Sequence, residues 1–306
     1  MGLDMPPTED RIHADSRAEA NCSISFVVTA TDRLEHAAPN LATLRSRLRD
    51  GDEVFVFTSI EDPTPPATKD SGYSVVTVPD ATVFALRARI PAICRNEWIV
   101  MLEDHALIEP HAIDSIRELI RSKPGIDLIP FLAKNLRSKS RWGWAVFLYV
   151  FALIWAPIDG PPPFSAVTSA VVRRARLGKA APLEEGVWEL KLIPGIFLTK
   201  RTAYSNDIFI DHFKTVTPLS AVILAFHNAR AGAALQRKVG VHVRDIVREG
   251  WYCAAPRPQI LAQALALRIH ELPAGTFWRI RILGCAHLVG NVVGSFFGAG
   301  RSGHKV

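Results

Sequence analysis

Between Ser23 and Leu102, short uncharged runs alternate with stretches of helical periodicity, and this alternation restricts the fold more than any other feature. Ser23 to Ala30 (SISFVVTA), Glu53 to Phe57 (EVFVF), Ser74 to Val78 and Trp98 to Leu102 are apolar and rich in β-branched or aromatic residues, the pattern of buried strands. Leu41, Leu44 and Leu48 fall at helical spacing, with Arg45, Arg47 and Arg49 on the other faces. A second helical stretch is predicted from Phe84 to Cys94. Strands buried on both faces and joined by helices imply an α/β fold with a mostly parallel sheet. With 306 residues, 48% of them apolar, the chain can bury one large core and carry an appendage. That composition excludes a mainly disordered chain, a disulfide miniprotein and a collagen-like repeat. The four cysteines are widely spaced, without metal-site pairing, and read as small buried thiols.

Ligands of such sheets sit outside the carboxyl ends of the strands. Three polar strand ends therefore matter: Thr31-Asp32, Thr58-Ser59 and Glu103-Asp104-His105. The third is the most informative, because a solvated turn has no need of Glu, Asp and His together.

The order of these pieces resembles that of inverting glycosyltransferases of family 2, which have the GT-A fold. SISFVVTATDR resembles the family's opening nucleotide-binding strand, and Leu86-Arg87, Ile90-Pro91-Ala92 and Asn96 to His105 resemble the approach to its acidic DxD motif. Thr168 to Leu177 resembles the strand before the acceptor region, and Gly186 to Leu190 the segment that supplies the catalytic carboxylate. Asp211-His212-Phe213 and a helix ending near Arg230 match a bacterial branch. The resemblance spans about residues 23 to 240.

It implies a nucleotide-diphosphate-sugar donor, a divalent ion (Mn²⁺ or Mg²⁺) and a lipid or polysaccharide acceptor, in cell-envelope polysaccharide assembly. Thr31, Asp32, Thr58, Arg87, Glu103 and Trp188 would line the donor site, with Glu103 facing the ribose and Trp188 packing on a sugar face. Thr58 stands where the family has an acid that reads the base. The DxD motif is replaced by Glu103-Asp104-His105, so the metal would rest on Asp104, His105 or both, with His212 in reach. Arg87 would hold the diphosphate, or is a helix charge; the two readings are even. Glu189 is the expected general base, since Glu184, Glu185 and Glu189 are the only acids between Asp159 and Asp207, and Glu185 is its reserve. The departures at Thr58 and His105 also suit a catalytically silent relative acting as a membrane-bound scaffold.

Residues 1–130 carry 13 Lys/Arg against 21 Asp/Glu, whereas residues 131–306 carry 23 against 9. The basic half is expected to face an anionic surface. Trp142 to Ile158 is uncharged, has Trp near both ends and follows four basic residues; it is expected to lie as an interfacial or re-entrant helix, the alternative being a helix packed against the sheet. Ile282 to Gly300 is a second uncharged stretch, in which Gly290, Gly294 and Gly298 recur every fourth residue and permit self-association. The predicted organisation is an acidic tail over 1–21, a GT-A domain over 22–240 and a helical, membrane-associated region over 241–306, at the cytoplasmic face of the membrane. No nucleic-acid-binding signature is present.

Overall fold

The computed structural model describes residues 23–302, apart from 32, 62–71, 137–139, 166–168, 179–188 and 213–215. Asp32, Glu185 and Trp188 lie outside the described residues, and Glu189 is described as backbone alone.

The strands are β1 (Ile24–Ala30), β2 (Glu53–Thr58), β3 (Ser74–Thr77), β4 (Trp98–Glu103), β5 (Ala106–Ile108), β6 (Leu128–Pro130), β7 (Leu132–Lys134), β8 (Ala170–Arg173) and β9 (Phe209–His212). The helices are α1 (Ala38–Arg45), α2 (Val83–Ala88), α3 (Ile90–Ile93), α4 (Pro110–Ser122), α5 (Arg141–Phe151), α6 (Arg174–Leu177) and α7 (Glu189–Leu198). Four more follow: α8 (Pro218–Lys238), α9 (Val243–Ala254), α10 (Pro256–Ala264) and α11 (Thr276–Phe297).

A six-stranded sheet has the order β3-β2-β1-β4-β8-β6, with β8 antiparallel to both its neighbours. All seven residues of β1 are buried, as befits a central strand covered on two faces. Phe26 and Val28 pack with Leu44 of α1 and Ile113 and Ile116 of α4. Val27 and Met101 face the other way, against Leu86 of α2, Ile90 of α3 and Ile193 and Ile196 of α7. The helix expected from Phe84 to Cys94 divides at Arg89, because Pro91 occupies the first turn of α3, where its missing N–H costs nothing. A smaller sheet, β5-β9-β7, lies beyond the end of β4. This is the α/β arrangement of the GT-A fold, with an apolar helix at the C-terminal end.

The run from Trp142 to Ile158 follows the packed alternative rather than the interfacial one. Within α5 and the turn after it, Ala145, Val146, Phe147, Leu148, Phe151 and Trp155 are buried in a third core with Ala225 of α8 and Leu283 of α11. Arginines fasten this layer. The Arg257 guanidinium donates to the Tyr149 carbonyl at 2.5 Å, and Arg268 lies 3.3 Å from the centre of the Trp155 ring.

The glycine ladder of α11 is likewise used within the chain. A methyl group on Gly284 would overlap the Cys253 carbonyl of α9, and on Gly290 or Gly294 the Phe226 or Arg230 carbonyl of α8. Of the described cysteines, Cys94 and Cys253 are buried as expected, whereas Cys285 of α11 is exposed. Burial pushes the Cys94 thiol up to about 12, where it is inert.

Two outcomes follow for this layer. Gly284→Ala should lower stability by about 1–3 kcal/mol, because backbone rather than a flexible side chain opposes the added carbon; thermal unfolding measures it. The second concerns His287 of α11, whose imidazole is held down to about 4 by burial and, secondarily, by Arg257. The unfolded chain takes up that proton near pH 6.5, so stability should fall as pH drops from 6.5 to 4. Denaturant midpoints across this window should flatten in His287→Phe.

Candidate functional site

The parallel register brings three strand ends side by side: Ala30 pairs with Thr58, and Thr29 pairs with Glu103. Thr31, half-buried, leaves β1 at this edge. Thr58 is fully buried, and its hydroxyl accepts the Ile60 N–H in the turn that follows. That local bond occupies the side chain expected to stand in for a base-reading acid.

Glu103 closes β4, and the chain turns through Asp104 and His105 into β5. Asn40 of α1 shapes that turn. It is fully buried, its amide N–H groups donate to the carbonyls of Glu103 and Ala106, and its oxygen accepts the Ile108 N–H. This role was not read from the sequence, where Asn40 is one polar residue in a helical pattern.

The Glu103 carboxylate stands among three basic side chains. Its Oε1 accepts from Arg87 of α2 at 2.9 Å, and its Oε2 lies 3.4 Å from His105 Nε2 and 3.8 Å from His212 Nε2. The two imidazoles meet edge to face, with centroids 4.7 Å apart. His212 reaches the site because Ala106 of β5 pairs with it across the small sheet. One carboxylate oxygen and two ring nitrogens thus converge, all within 4.8 Å of one another. Ligands bonded at ~2.1 Å to one ion stand roughly 3.0–3.4 Å apart, so the set is close to the spacing that a cation requires. Imidazole nitrogens suit Mn²⁺ or Zn²⁺ better than Mg²⁺, which prefers oxygen donors.

Several expected roles are redistributed. Asp104 is not in the convergent set; its Oδ1 lies 2.8 Å from Nδ1 of His105, on the opposite side of the ring. A carboxylate there fixes the ring's orientation and leaves Nε2 for an ion. Glu103, expected at the ribose, also stands among the candidate metal ligands. Arg87 is only 2% exposed and is engaged with Glu103, so its guanidinium braces that carboxylate rather than standing open to a diphosphate. Glu189 begins α7, whose Ile193 and Ile196 pack on the same sheet face as Leu86 of α2. His227 of α8 pairs with the Ser302 hydroxyl at 2.9 Å.

Asn135 was missed altogether. It follows Lys134, whose register partner is Asp211, and so stands level with His212. It is 5% exposed, and its amide oxygen and nitrogen have no hydrogen-bond partner among the described residues. Only the pairing of β7 with β9 exposes this placement.

No family model matches the chain, and no curated protein does at the sequence level. Solved structures do. Glucosyl-3-phosphoglycerate synthase from Mycobacterium tuberculosis, in complex with phosphoglyceric acid, superposes with a TM-score of 0.51 at 17% identity, covering 78% of this chain and 87% of that one. The same enzyme with Mn²⁺, uridine-diphosphate-glucose and phosphoglyceric acid gives identical values. Its complex with Mn²⁺, uridine-diphosphate and glucosyl-3-phosphoglycerate gives 0.50 at 16% identity, over 79% and 88%. At these identities the likeness establishes a shared fold.

The donor chemistry sets a measurable preference. Titration calorimetry without substrate should show Mn²⁺ binding about tenfold or more tighter than Mg²⁺. His212→Ala should abolish it, and Asp104→Asn should weaken it about 10–100-fold through the loosened ring. Equal affinity for both ions would mean that the imidazoles are not ligands.

Proposed function

We propose that the chain is a metal-dependent glycosyltransferase that moves a sugar from a nucleotide-diphosphate sugar to a hydroxyl of a lipid or polysaccharide acceptor, with inversion at the anomeric carbon. The observation that carries this reading is the convergence of Glu103, His105 and His212 where the ends of β1, β2 and β4 meet. Support comes from the fold shared with a synthase solved with Mn²⁺ and uridine-diphosphate-glucose. A cation held by these residues supplies charge neutralisation for a departing diphosphate.

The remaining roles belong to the chain's own side chains. Arg87 holds the Glu103 carboxylate, and Asp104 holds the His105 ring, so the binding geometry is set before substrate arrives. Thr31, half-buried where the chain leaves β1, is assigned to the nucleotide, and the family resemblance assigns Asp32 the same role. Asn135, with an amide donor and acceptor to offer beside His212, is suited to a sugar hydroxyl. Glu189 takes the proton of the acceptor hydroxyl as its oxygen attacks the anomeric carbon from the face opposite the leaving diphosphate. Glu185 is the reserve for that role, and Trp188 packs on a sugar face.

Glu189→Gln should lower kcat by about 10²–10⁴-fold while donor binding, followed by calorimetry with Mn²⁺, stays unchanged. Product NMR should show the anomeric configuration opposite to that of the donor. Unaltered turnover, or a retained configuration, removes Glu189 from the reaction. A wild-type chain that binds no nucleotide diphosphate with Mn²⁺ is the membrane-bound scaffold instead.

A further inference from the structure

Helix α11 is 22 residues long and apolar enough to cross a membrane by length and composition. It does not stand alone. Gly284 lies against α9, and Gly290 and Gly294 lie against α8, so one side of the helix is consumed by close packing along its length. The opposite side is also apolar. Trp278, Val289, Phe296 and Phe297 are each more than half exposed, at 52%, 54%, 65% and 77%. On the adjoining α8, Leu219 and Ile223 are exposed as well. A helix that is apolar all round is ordinarily covered all round. Trp278 and Phe297 are 19 residues apart, so the open stripe runs for about 29 Å.

The charges beside the stripe decide what covers it. Neither Pro218–Lys238 nor the chain from Thr276 onward contains a single Asp or Glu. The charged residues there are basic: Arg230, Arg237 and Lys238 of α8, Arg279 and Arg281 of α11, and Arg301 and Lys305 beyond it. Arg281 and Arg301 are exposed. A second copy laid face to face would oppose cation to cation without a compensating carboxylate. An anionic lipid surface accepts both features, the apolar side chains entering the interface and the exposed Arg281 and Arg301 meeting headgroups.

We infer that the α8–α11 face docks flat on an anionic bilayer, with α11 parallel to the surface. Spanning would require α11 to shed α8 and α9, into whose backbones its glycines are fitted. The inference stands independently of the transfer chemistry, because its test involves no substrate.

The test is co-sedimentation of the full chain with phosphatidylcholine vesicles, with and without about one-third phosphatidylglycerol. Wild type should pellet with the anionic vesicles and release in high salt. Val289→Glu/Phe296→Glu changes two exposed side chains and should bind about tenfold or more weakly. Arg281→Gln should bind about fivefold more weakly. Circular dichroism and Mn²⁺ affinity should be unchanged in both variants. Wild type that stays in the supernatant, or a double variant that binds as well as wild type, overturns the proposal. So does a wild-type dimer in analytical ultracentrifugation that Val289→Glu/Phe296→Glu dissociates without any vesicle binding, which would assign the face to a second copy.

Discussion

The carboxylate of Glu103 at the tip of β4 is the point to which the rest of the site is tied. Removing a carboxylate from water costs several kcal/mol unless positive or hydrogen-bonding groups surround it. Here those groups come from three separate elements: Arg87 from α2, His105 from the turn, His212 from β9. Each is delivered by a different structural device. The parallel sheet sets the position of β4, Asn40 sets the turn, and the pairing of β5 with β9 carries His212 more than a hundred residues back to the same place. Loss of any one of them leaves a largely desolvated charge poorly compensated, which is why the small sheet matters as much as the large one.

The four parallel strands of the large sheet were legible in the sequence because the central ones are covered on both faces. Full burial demands uncharged runs, and the runs at Ile24–Ala30, Glu53–Thr58, Ser74–Thr77 and Trp98–Glu103 could be read within a residue or so of their ends. The EDH turn was legible for the same reason: polar residues directly after a buried run mark where the chain leaves the core. Side-chain roles within that turn were not. Whether Asp104 or Glu103 faces an ion depends on which way each residue points off the strand end, and sequence spacing carries no such information. Arg87 could be read equally as a diphosphate ligand or a helix charge, because its partner is sixteen positions away. Asn135 was invisible for a related reason, since three-residue strands such as β7 carry too little periodicity to be recognised.

The basic surplus of the second half was read as a surface property, and much of it is spent internally. Arg173, Arg176 and Arg201 surround the buried carboxylate of Asp127. Arg257, Arg268 and Arg279 lie over the rings of Tyr149, Trp155 and Trp278. Net charge therefore overstates the cationic surface of this half. The more telling feature is where carboxylates are missing, and α8 and α11 lack them entirely. A similar correction applies to the two uncharged stretches. Both suggested lipid by composition, yet α5 is packed into the third core, and α11 alone combines a buried side with an open apolar one.

Helix α5 joins that open face to the metal-ligand cluster. At its start, Trp142 meets Trp278 of α11 with ring centroids 6.1 Å apart. At its end, Phe151 packs on His212 at 4.6 Å. Between these contacts most of the helix is buried, so its ends are not free to move separately; close-packed interiors shift as units. A surface resting on lipid would thus be held at a fixed distance from the ligand set through one apolar helix. An acceptor anchored in the same bilayer would then approach the cluster in a restricted range of orientations, and such restriction is one way that a site gains effective concentration over free diffusion. The uncharged run that resembles a membrane helix by composition links the open side of α11 to the ligand set through these two ring contacts.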